Sequence, residues 1–318
     1  MLKVVVVGYG EMFTNLIAGA LDADCEIVGV LRKETIKYHP FFRKIKDIFN
    51  PSIEYNYIKS YNLPEIQTYS VNSENFRKTL LKLNPDIVLV GSWEEKFQKE
   101  TYNLPKIATI NAHPSLLPKY RGANPYFWAI RNQEPTGGIT FHLMNDKFDS
   151  GAILAQEEVK IFPSDTGQTL KQRTVLTARG VVCELLKRLE EDIIIPLQQN
   201  EDKATYFSYP EGLELDFNKS ADENYALIRA SYPWCKTWFY HNITPLSPNP
   251  HNTTVTDNHS DFKQSGTVIE ADYKTKTVSI LCSDGKVLRM SNLNLYKEID
   301  KIFTKNYINL EIKVGDVI

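Results

Sequence analysis

The sequence predicts an α/β fold with a mostly parallel sheet, followed by a smaller β-barrel-like domain. Val4 to Val7 is a continuous apolar run, and Pro85-Asp86 leads into another, Ile87 to Val90; such runs are typical of strands buried on both faces of a parallel sheet. Helical apolar spacing between such runs indicates that strands and helices alternate. From Gly266 onward, short apolar stretches alternate with turn residues, which favours a small antiparallel barrel.

Length and composition indicate how the chain divides. A chain of 318 residues is long enough for two domains, and the segment from Ile193 to about Gly212, most polar at Gln198 to Asp202, predicts a linker. We therefore predict an α/β domain over 1–192, a linker over 193–211 and a barrel-like domain over 212–318. The net charge of −2 gives no overall indication of nucleic acid or an anionic membrane as a partner.

The cysteines and apolar runs bear on the compartment. The apolar run at the N-terminus is short and leads into Gly8-Tyr9-Gly10, which is unlike a signal peptide. No apolar run approaches the roughly 18 residues that cross a bilayer. The four cysteines form no Cys-x-x-Cys pair, so neither a zinc site nor a redox motif is indicated. We expect a cytoplasmic protein without membrane segments.

The first elements read as strand, helix, strand. After the opening strand we predict a helix over Glu11 to Leu21 and a strand over Cys25 to Leu31. Gly8 and Gly10 resemble a dinucleotide-binding turn, but Phe13 stands where the third glycine belongs. The second strand also leads into basic residues where an NAD site needs an acid. We therefore interpret the glycines as a tight turn.

The remaining elements follow from periodicity and breaker residues. Residues 36–64 contain several prolines and predict either a mobile lid or short helices. Residues 244–262 predict a mobile loop, and Asp284-Gly285 predicts a hairpin turn. Further strands are predicted over Gln67–Ser70, Ile107–Asn111, Gly138–Leu143 and Ala152–Val159, and further helices over Ser73–Leu83, Asp165–Leu189 and Ala221–Ala230.

Candidate catalytic groups follow the strand that ends near residue 111. Asn111 and His113 are two positions apart, so a strand places both side chains on one face at the edge where parallel sheets bind ligands. Histidine suits proton transfer, and an uncharged amide suits an oxygen that gains charge. We expect the turn around Asp149 to aim its carboxylate at His113 and so raise the pKa of the imidazole. These groups indicate acyl transfer without a covalent nucleophile.

Other interpretations of the same residues exist. An isolated Asn-x-His or Asp-Ser-Gly is often only a turn. A metal site formed by His113, His142 and Asp149 lacks the spacing that makes such predictions specific. Nucleophilic catalysis by Ser115 lacks a Gly-x-Ser-x-Gly elbow.

A longer pattern carries a family resemblance. The run from Asn111 to Pro125, NAHPSLLPKYRGANP, together with Gly138-Ile139-Thr140 and Asp149-Ser150-Gly151, resembles the formyltransferase family. These enzymes use 10-formyltetrahydrofolate as the formyl donor. Members that act on methionyl-tRNA or on amino-arabinose pair a Rossmann-like domain with a barrel-like, OB-like one, so the resemblance covers the whole chain.

The resemblance implies roles for individual residues. It makes Asn111 the holder of the formyl oxygen, His113 the group that assists proton transfer from the amine, and Asp149 the group that orients the imidazole. Folate would lie against the residues that follow the strand ending at residue 90 and against the Asp149 loop. The implied folate contacts are Leu89, Val90, Gly91, Asp146 and Phe148. Arg121 is a candidate acceptor contact, although a structural role in its turn is an equal alternative.

The acceptor amine is the finer question. The segment from Arg229 to Trp238 is similar to both methionyl-tRNA and amino-arabinose formyltransferases, so it discriminates poorly. Residues 206–318 hold ten Lys and two Arg against 14 acidic residues, whereas a tRNA-binding domain is expected to be basic. Lys297, Lys301 and Lys305 remain candidates for a local basic patch.

His142 favours a small acceptor. It stands where tRNA enzymes usually have an apolar residue and nucleotide-sugar enzymes often have histidine. We predict an amino sugar on a nucleotide carrier as the acceptor, with no membrane partner. The alternatives are initiator methionyl-tRNA and, from another class, a non-catalytic protein that binds folate or another ligand on the same scaffold.

Overall fold

A six-stranded sheet holds the strand that leads into the predicted motif. The computed structural model describes residues 1–242, 244–295 and 312–318. The strands of the first part of the chain are β1 (Lys3–Gly8), β2 (Glu26–Arg32), β3 (Ile87–Gly91), β4 (Ala108–His113), β5 (Arg121–Gly122), β6 (Thr136–Leu143), β7 (Ile153–Lys160) and β8 (Tyr206–Phe207). The sheet order is β2-β1-β3-β4-β6-β7, and the pairings from β2 to β4 are parallel. The predicted mostly parallel α/β sheet is confirmed.

Three of the helices in this region match those predicted over Glu11–Leu21, Ser73–Leu83 and Asp165–Leu189. The helices of this region are α1 (Gly10–Asp22), α2 (Lys33–Lys37), α3 (Pro40–Phe49), α4 (Ile53–Ser60), α5 (Glu74–Leu83), α6 (Lys99–Tyr102), α7 (Pro125–Arg131) and α8 (Gly167–Glu190). Every residue of β3 is buried, as its continuous apolar run predicts. Within the described ranges, no helix combines the length and apolar character needed to cross a bilayer.

Two segments of this region, residues 36–64 and Gln67–Ser70, can be compared with what the sequence predicts for them. Residues 36–64 fold mainly into α3 and α4, so the short-helix alternative is the correct one. The strand predicted over Gln67–Ser70 is wrong, because the structure has only a bridge between Val30 and Glu65 nearby. The reason is local hydrogen bonding. The Thr68 hydroxyl donates to Ser70 O at 2.9 Å, and the Asn75 amide donates to Gln67 O at 2.8 Å, which draws these residues into a turn.

A second set of elements follows the long helix. Helix α9 (Ala221–Ser231) begins with a capping box, in which the side chains of Ser220 and Glu223 bond each other's backbone N–H groups. The strands that follow are β9 (Phe239–His241), β10 (Thr244–Ser247), β11 (Thr253–Asp257), β12 (Val268–Asp272), β13 (Thr277–Leu281), β14 (Lys286–Met290) and β15 (Asn294–Leu295). They form antiparallel sheets in the orders β15-β10-β9 and β11-β14-β13-β12. The predicted barrel-like β domain and its Asp284-Gly285 hairpin are confirmed.

The mobile loop predicted over 244–262 is largely wrong. Strands β10 and β11 occupy much of it, with a short 3₁₀ turn at Pro250–Asn252 between them. The prolines of this segment predict a loop. However, β11 is rich in β-branched residues and pairs along its whole length with β14, with Val255 opposite Leu288. A strand that gains a complete partner forms in spite of nearby breakers.

The chain divides into two units at other places than the predicted boundaries. One unit comprises Met1–Pro125, Thr136–Lys160 and Lys171–Ser208, and the other Tyr126–Pro135, Ile161–Leu170 and Tyr209–Ile318. Two short segments from the first 192 residues therefore belong to the second unit, where Tyr126 stacks on Trp234 with ring centroids 6.1 Å apart. Most of the predicted linker belongs to the first unit, because Gln199 hydrogen-bonds there to the backbone of Asp149.

Helices α1 and α8 are in close contact at Gly19, and this contact yields a test. A Cβ added there would lie 2.5 Å from Arg179 O and against Val182 Cγ1, so we expect Gly19→Ala to destabilise the fold by about 1–3 kcal/mol. The matched control is Gly180→Ala on α8, where nothing lies within 4 Å of an added Cβ. That variant should gain about 0.5–1 kcal/mol from helix propensity. Urea unfolding measures both, and equal effects would contradict the packing argument.

Candidate active site

The end of β4 places Asn111 and His113 on one face of the sheet. Asn111 lies opposite Val90 of β3 on one side and opposite His142 of β6 on the other. His113 is 5% exposed and His142 is 2% exposed, so both imidazoles lie inside the protein. Asn111 and His113 are two positions apart in the sequence, and this spacing therefore places both side chains at the carboxyl end of β4.

Asp149 completes the cluster from the connection between β6 and β7. Its backbone has a left-handed conformation, with φ of 53°, in the turn before Gly151. Its Oδ1 atom lies 3.4 Å from His113 Nδ1 and 3.3 Å from Asn111 Nδ2. Its Oδ2 atom accepts the Gly122 N–H at 2.9 Å. The structure thus brings together the three residues that the sequence singled out.

His142 is a fourth member of this cluster. Its Nδ1 lies 2.9 Å from Leu143 O, and since a carbonyl only accepts, that nitrogen carries the hydrogen. Its Nε2 then accepts from Asn111 Nδ2 at 3.1 Å. Both amide hydrogens of Asn111 are therefore engaged, one by His142 and one by Asp149. A ligand oxygen that binds Asn111 has to replace one of these partners.

Burial controls the protonation of His113. It lowers the pKa of the imidazole below its ordinary value, and the Asp149 charge and the Tyr120 carbonyl offset this effect only in part. Asp149 raises the pKa of His113, as expected, but the net shift is downward because the loss of hydration outweighs the carboxylate. The ring is neutral at neutral pH. Its Nε2 lies 2.8 Å from Tyr120 O, so its two nitrogens face two acceptors, and a proton taken up by the ring is held at both ends.

Asp149 stays ionised although it is largely buried. Burial alone would raise the pKa of this carboxyl, but attraction to His113 and the hydrogen bond from the Gly122 N–H hold its pKa well below the usual range. The attraction to His113 acts fully once the ring is protonated. The Gly122 N–H stabilises the carboxylate at every pH.

Arg121 was a candidate contact for the acceptor, and its donors have other partners in the structure. Its Nε and Nη2 atoms donate to Gln199 Oε1 at 3.1 and 2.7 Å. Its Nη1 and Nη2 atoms also form a bidentate pair with Glu201 at 3.0 and 2.7 Å. Strand β5, which carries Arg121, pairs with β8 from the same downstream segment. These contacts favour the structural role for Arg121.

Gln199 is a residue that the sequence reasoning missed. Its Nε2 atom donates to Asp149 O at 2.9 Å and to Gly151 O at 2.7 Å, while its Oε1 atom accepts from Arg121. The amide therefore fixes the turn that presents Asp149. In the sequence, Gln199 stands in a polar run after the long helix, and such a composition predicts only a linker.

The residues expected to contact folate lie in two places. Leu89, Val90 and Gly91 end β3, the strand beside β4, so they border the Asn111 position. A Cβ at Gly91 would lie 2.7 Å from atoms of Met12 and Leu16, so packing on α1 explains this glycine. The other two expected folate contacts, Asp146 and Phe148, lie in the exposed part of the β6–β7 connection. The Asp146 carboxylate accepts a hydrogen bond from the Tyr102 hydroxyl at 2.8 Å, and Phe148 is half exposed.

The alternative chemistries lack matching geometry. The Ser115 hydroxyl donates to Lys119 O at 2.8 Å, so it closes the loop after β4. Over residues 1–242, 244–295 and 312–318, no group of three or more His, Cys, Asp or Glu is arranged to hold a metal ion. His113 and His142 both face Asp149, but a hydrogen-bonded cluster accounts for their positions.

Known sequences match this chain over much of its length. The family model described as "Formyl transferase" matches residues 2–185. Methionyl-tRNA formyltransferase of Thermodesulfovibrio yellowstonii is 34% identical over 54% of this chain and 56% of the relative. The enzyme of that name from Thermotoga neapolitana is 33% identical over 72% of each. The bifunctional polymyxin resistance protein ArnA of Wigglesworthia glossinidia brevipalpis is 30% identical over 75% of this chain. The chain spans just over half the length of the first relative and about a third of ArnA.

Solved structures match nearly the whole chain. The sugar 3N-formyl transferase WlaRD, crystallised with dTDP and 5-N-formyl-THF, has a TM-score of 0.65 and 18% identity and covers 92% of this chain and 98% of its own. An N-formyltransferase from Helicobacter canadensis in complex with folinic acid and dTDP-3-aminofucose has a TM-score of 0.66 and 19% identity and covers 92% and 99%. At these identities the likeness shows the fold.

The bonds of Gln199 give a stability test for the Asp149 turn. We expect Gln199→Leu to cost about 1–3 kcal/mol of unfolding free energy, since it leaves the Asp149 and Gly151 carbonyls and part of the Arg121 guanidinium without partners. Gln198→Leu is the control, because Gln198 is exposed one residue earlier, and its effect should stay within about 0.5 kcal/mol. Urea unfolding distinguishes them, and equal losses would show that Gln199 does not hold the turn.

Proposed function

The chain belongs to the formyl transferase family, and from that premise we propose that it transfers a formyl group from 10-formyltetrahydrofolate to a primary amine. The observation that carries this proposal is the meeting of Asn111, His113 and Asp149 inside the matched region. A single carboxylate oxygen lies 3.3 Å from the amide of Asn111 and 3.4 Å from the imidazole of His113. The cluster provides an oxygen-binding donor, a neutral proton acceptor and a fixed negative charge.

His113 is the proposed proton acceptor. The amine nitrogen attacks the formyl carbon, and the new C–N bond forms while the amine gains positive charge. A neutral imidazole can take the amine proton, and burial keeps His113 neutral for that task. When the bond between the formyl carbon and N10 of the folate breaks, the proton is returned to the departing nitrogen and tetrahydrofolate leaves.

Asn111 and Asp149 act on the two charges that the reaction creates. As the tetrahedral intermediate forms, the formyl oxygen becomes negative, and the Asn111 amide donates to it in place of one of its present partners. Asp149 holds the His113 ring in orientation and stabilises the imidazolium, because its carboxylate is ionised before the proton arrives. Nothing in this scheme needs a covalent nucleophile.

The donor site is proposed at the carboxyl end of β3 and the connection between β6 and β7. Leu89, Val90 and Gly91 border Asn111 from the neighbouring strand. Asp146 and Phe148 lie in the connection that also carries Asp149, so a folate bound there would place its formyl group near the cluster. Ligands bind at this edge of open parallel sheets in general.

For the acceptor, we propose an amino sugar on a nucleotide carrier. His142 lies within the cluster, hydrogen-bonded to Asn111, so this position is part of the site. Residues 206–318 carry 12 basic and 14 acidic residues, a balance that does not suit a surface for gripping tRNA phosphates. A small acceptor needs only local contacts near Asn111.

Initiator methionyl-tRNA is the second candidate acceptor. The relatives that are 33–34% identical to this chain are named methionyl-tRNA formyltransferases, which favours this candidate. The basic patch proposed for it, Lys297, Lys301 and Lys305, lies outside the residues that the structure describes. The charge of residues 206–318 thus favours an amino sugar, whereas the similarity to the named relatives favours methionyl-tRNA. An experiment that offers both acceptors distinguishes them.

The acceptor test supplies 10-formyltetrahydrofolate with nucleotide-linked amino sugars or with initiator methionyl-tRNA. We expect formylated amino sugar as the product and no tRNA binding tighter than micromolar at physiological salt. Formylation of the tRNA, with binding that weakens steeply as salt is added, would overturn the amino-sugar proposal. Folate binding without turnover of any amine would instead support the non-catalytic alternative.

Replacement of His113 tests the reaction itself. We expect His113→Ala to lower kcat by at least about 100-fold, because it removes the proton acceptor. Ser115→Ala is the matched control in the same loop and should retain activity within about ten-fold, since its hydroxyl only bonds Lys119 O. A larger loss in the serine variant than in the histidine variant would indicate a covalent nucleophile and contradict this mechanism.

The pH profile provides a second check on His113. Activity needs the neutral ring, so kcat should fall in acid with an apparent pKa below the ordinary value of 6.5. Asp149 raises the pKa of His113, so Asp149→Asn should move this acidic limb to still lower pH while it also lowers kcat. Rates measured over a pH series for both proteins check the sign. A limb that moves to higher pH in the variant would refute the assignment.

A further inference from the structure

Helix α3 places its apolar residues outside and its charged residues inside. Arg43 and Asp47 are buried in it. Its large apolar side chains are all exposed, namely Phe41 (62%), Phe42 (64%), Ile45 (41%), Ile48 (70%) and Phe49 (82%). At about 100° per residue these five side chains form one continuous stripe. We call this stripe, with its five residues, the α3 apolar face.

Buried ion pairs explain why the helix sits this way. Arg32, the last residue of β2, is fully buried and donates to both carboxylate oxygens of Asp47 at 2.8 and 2.5 Å. It also donates from Nε to Glu65 at 2.8 Å. From the other buried position, Arg43 donates to Gln67 at 2.5 Å. These bonds fix the polar side of α3 inward, because a buried arginine without its partners is costly, and so the α3 apolar face has to point outward.

The charges beside the α3 apolar face are positive. Lys44 and Lys46 flank the stripe on its two sides. Lys44 and Lys37 are exposed, and Lys37 and Lys46 both lie over the Tyr38 ring, at 5.4 and 5.8 Å from its centroid. The acidic side chains between residues 33 and 61 are all engaged inside this unit. Asp47 binds Arg32, Glu54 accepts the Gly10 N–H at 2.5 Å, and Glu34 lies 3.6 Å from Lys46. The exposed surface is therefore an apolar stripe bordered by lysines.

We propose that the α3 apolar face docks the protein on an anionic lipid surface, a partner that the net charge of the chain did not indicate and that replaces the earlier expectation of no membrane partner. Aromatic and aliphatic side chains bordered by lysines are the composition of helices that lie in the membrane interface, where apolar residues enter the acyl boundary and ammonium groups meet anionic headgroups. A second copy of this chain fits less well, because a twofold contact pairs this surface with itself. Both sets of lysines would then share one interface in which the acidic groups of residues 33–61 are already engaged. Five apolar side chains also offer nothing to the phosphates of a nucleic acid.

The position of α3 relates this surface to the candidate active site. Strands β2 and β4 are parallel members of one sheet, so their carboxyl ends lie on the same edge. Arg32 anchors α3 at the end of β2, three strands from the end of β4, which is about 14 Å at the usual strand spacing. Helix α3 is therefore held at the same edge of the sheet on which Asn111 and His113 are presented.

Vesicle flotation of the full chain tests the proposal. We expect the protein to float with vesicles of phosphatidylcholine that contain about 30% phosphatidylglycerol and to remain unbound with phosphatidylcholine alone. The triple variant Phe42→Gln, Ile48→Gln and Phe49→Gln should reduce binding at least ten-fold. The control triple replaces three apolar side chains that are as exposed but lie elsewhere, Leu81→Gln, Leu176→Gln and Ile195→Gln, and should bind like the unmodified chain.

Charge variants and a sizing measurement complete the test. Lys44→Glu with Lys37→Glu should abolish binding to anionic vesicles, and added salt should weaken binding of the unmodified chain. No flotation, equal binding to neutral vesicles, or equal losses in both triple variants would each overturn the proposal. A dimer that the α3 triple variant dissociates would assign the face to a second copy, and specific binding of an acidic protein instead of vesicles would assign it to a protein partner. Formyl transfer to a soluble amine should be unchanged in the α3 variants, so the two proposals fail separately.

Discussion

The candidate site depends on one buried negative charge, the carboxylate of Asp149. It contacts Asn111 and His113 of β4 and lies 3.6 Å from His142 of β6, so it connects two strands that are neighbours in the sheet. The sheet register places these three partners, but the turn that carries Asp149 is irregular and needs its own support. That support comes from the Gly122 N–H on one side and from the Gln199 amide on the other.

The balance around His113 shows how environment adjusts one residue type for one task. A carboxylate beside a solvated imidazole would favour the charged ring, which cannot accept a proton. Here burial is the larger effect, so the ring stays neutral, although the same carboxylate lies 3.4 Å away and favours the charged ring. The acid and base properties of the cluster therefore come from the depth of the strand end in the protein as much as from its residues.

The sequence predicted what depends on local periodicity and missed what depends on distant partners. The apolar runs of β1 and β3 and the two-residue spacing of Asn111 and His113 are local, and the structure matches them. Gln199 acts on a turn 50 residues upstream, and nothing near it in the chain shows that contact. The prediction of a mobile loop over 244–262 is wrong for a similar reason, since β11 forms by pairing with the distant strand β14. The orientation of α3 is decided by Arg32, which no helical periodicity can reveal.

The attachment of Gln199 and Glu201 to the first unit bears on how this scaffold can be divided. A catalytic module is usually delimited by its sheet and last helix, which here would end it near residue 190. Such a fragment would keep Asn111, His113 and Asp149. It would lose the segment with Gln199 and Glu201, which hydrogen-bonds to Arg121 and to the Asp149 turn. For domain exchange or fusion, the smallest transferable piece therefore extends through β8, and the junction belongs after residue 208.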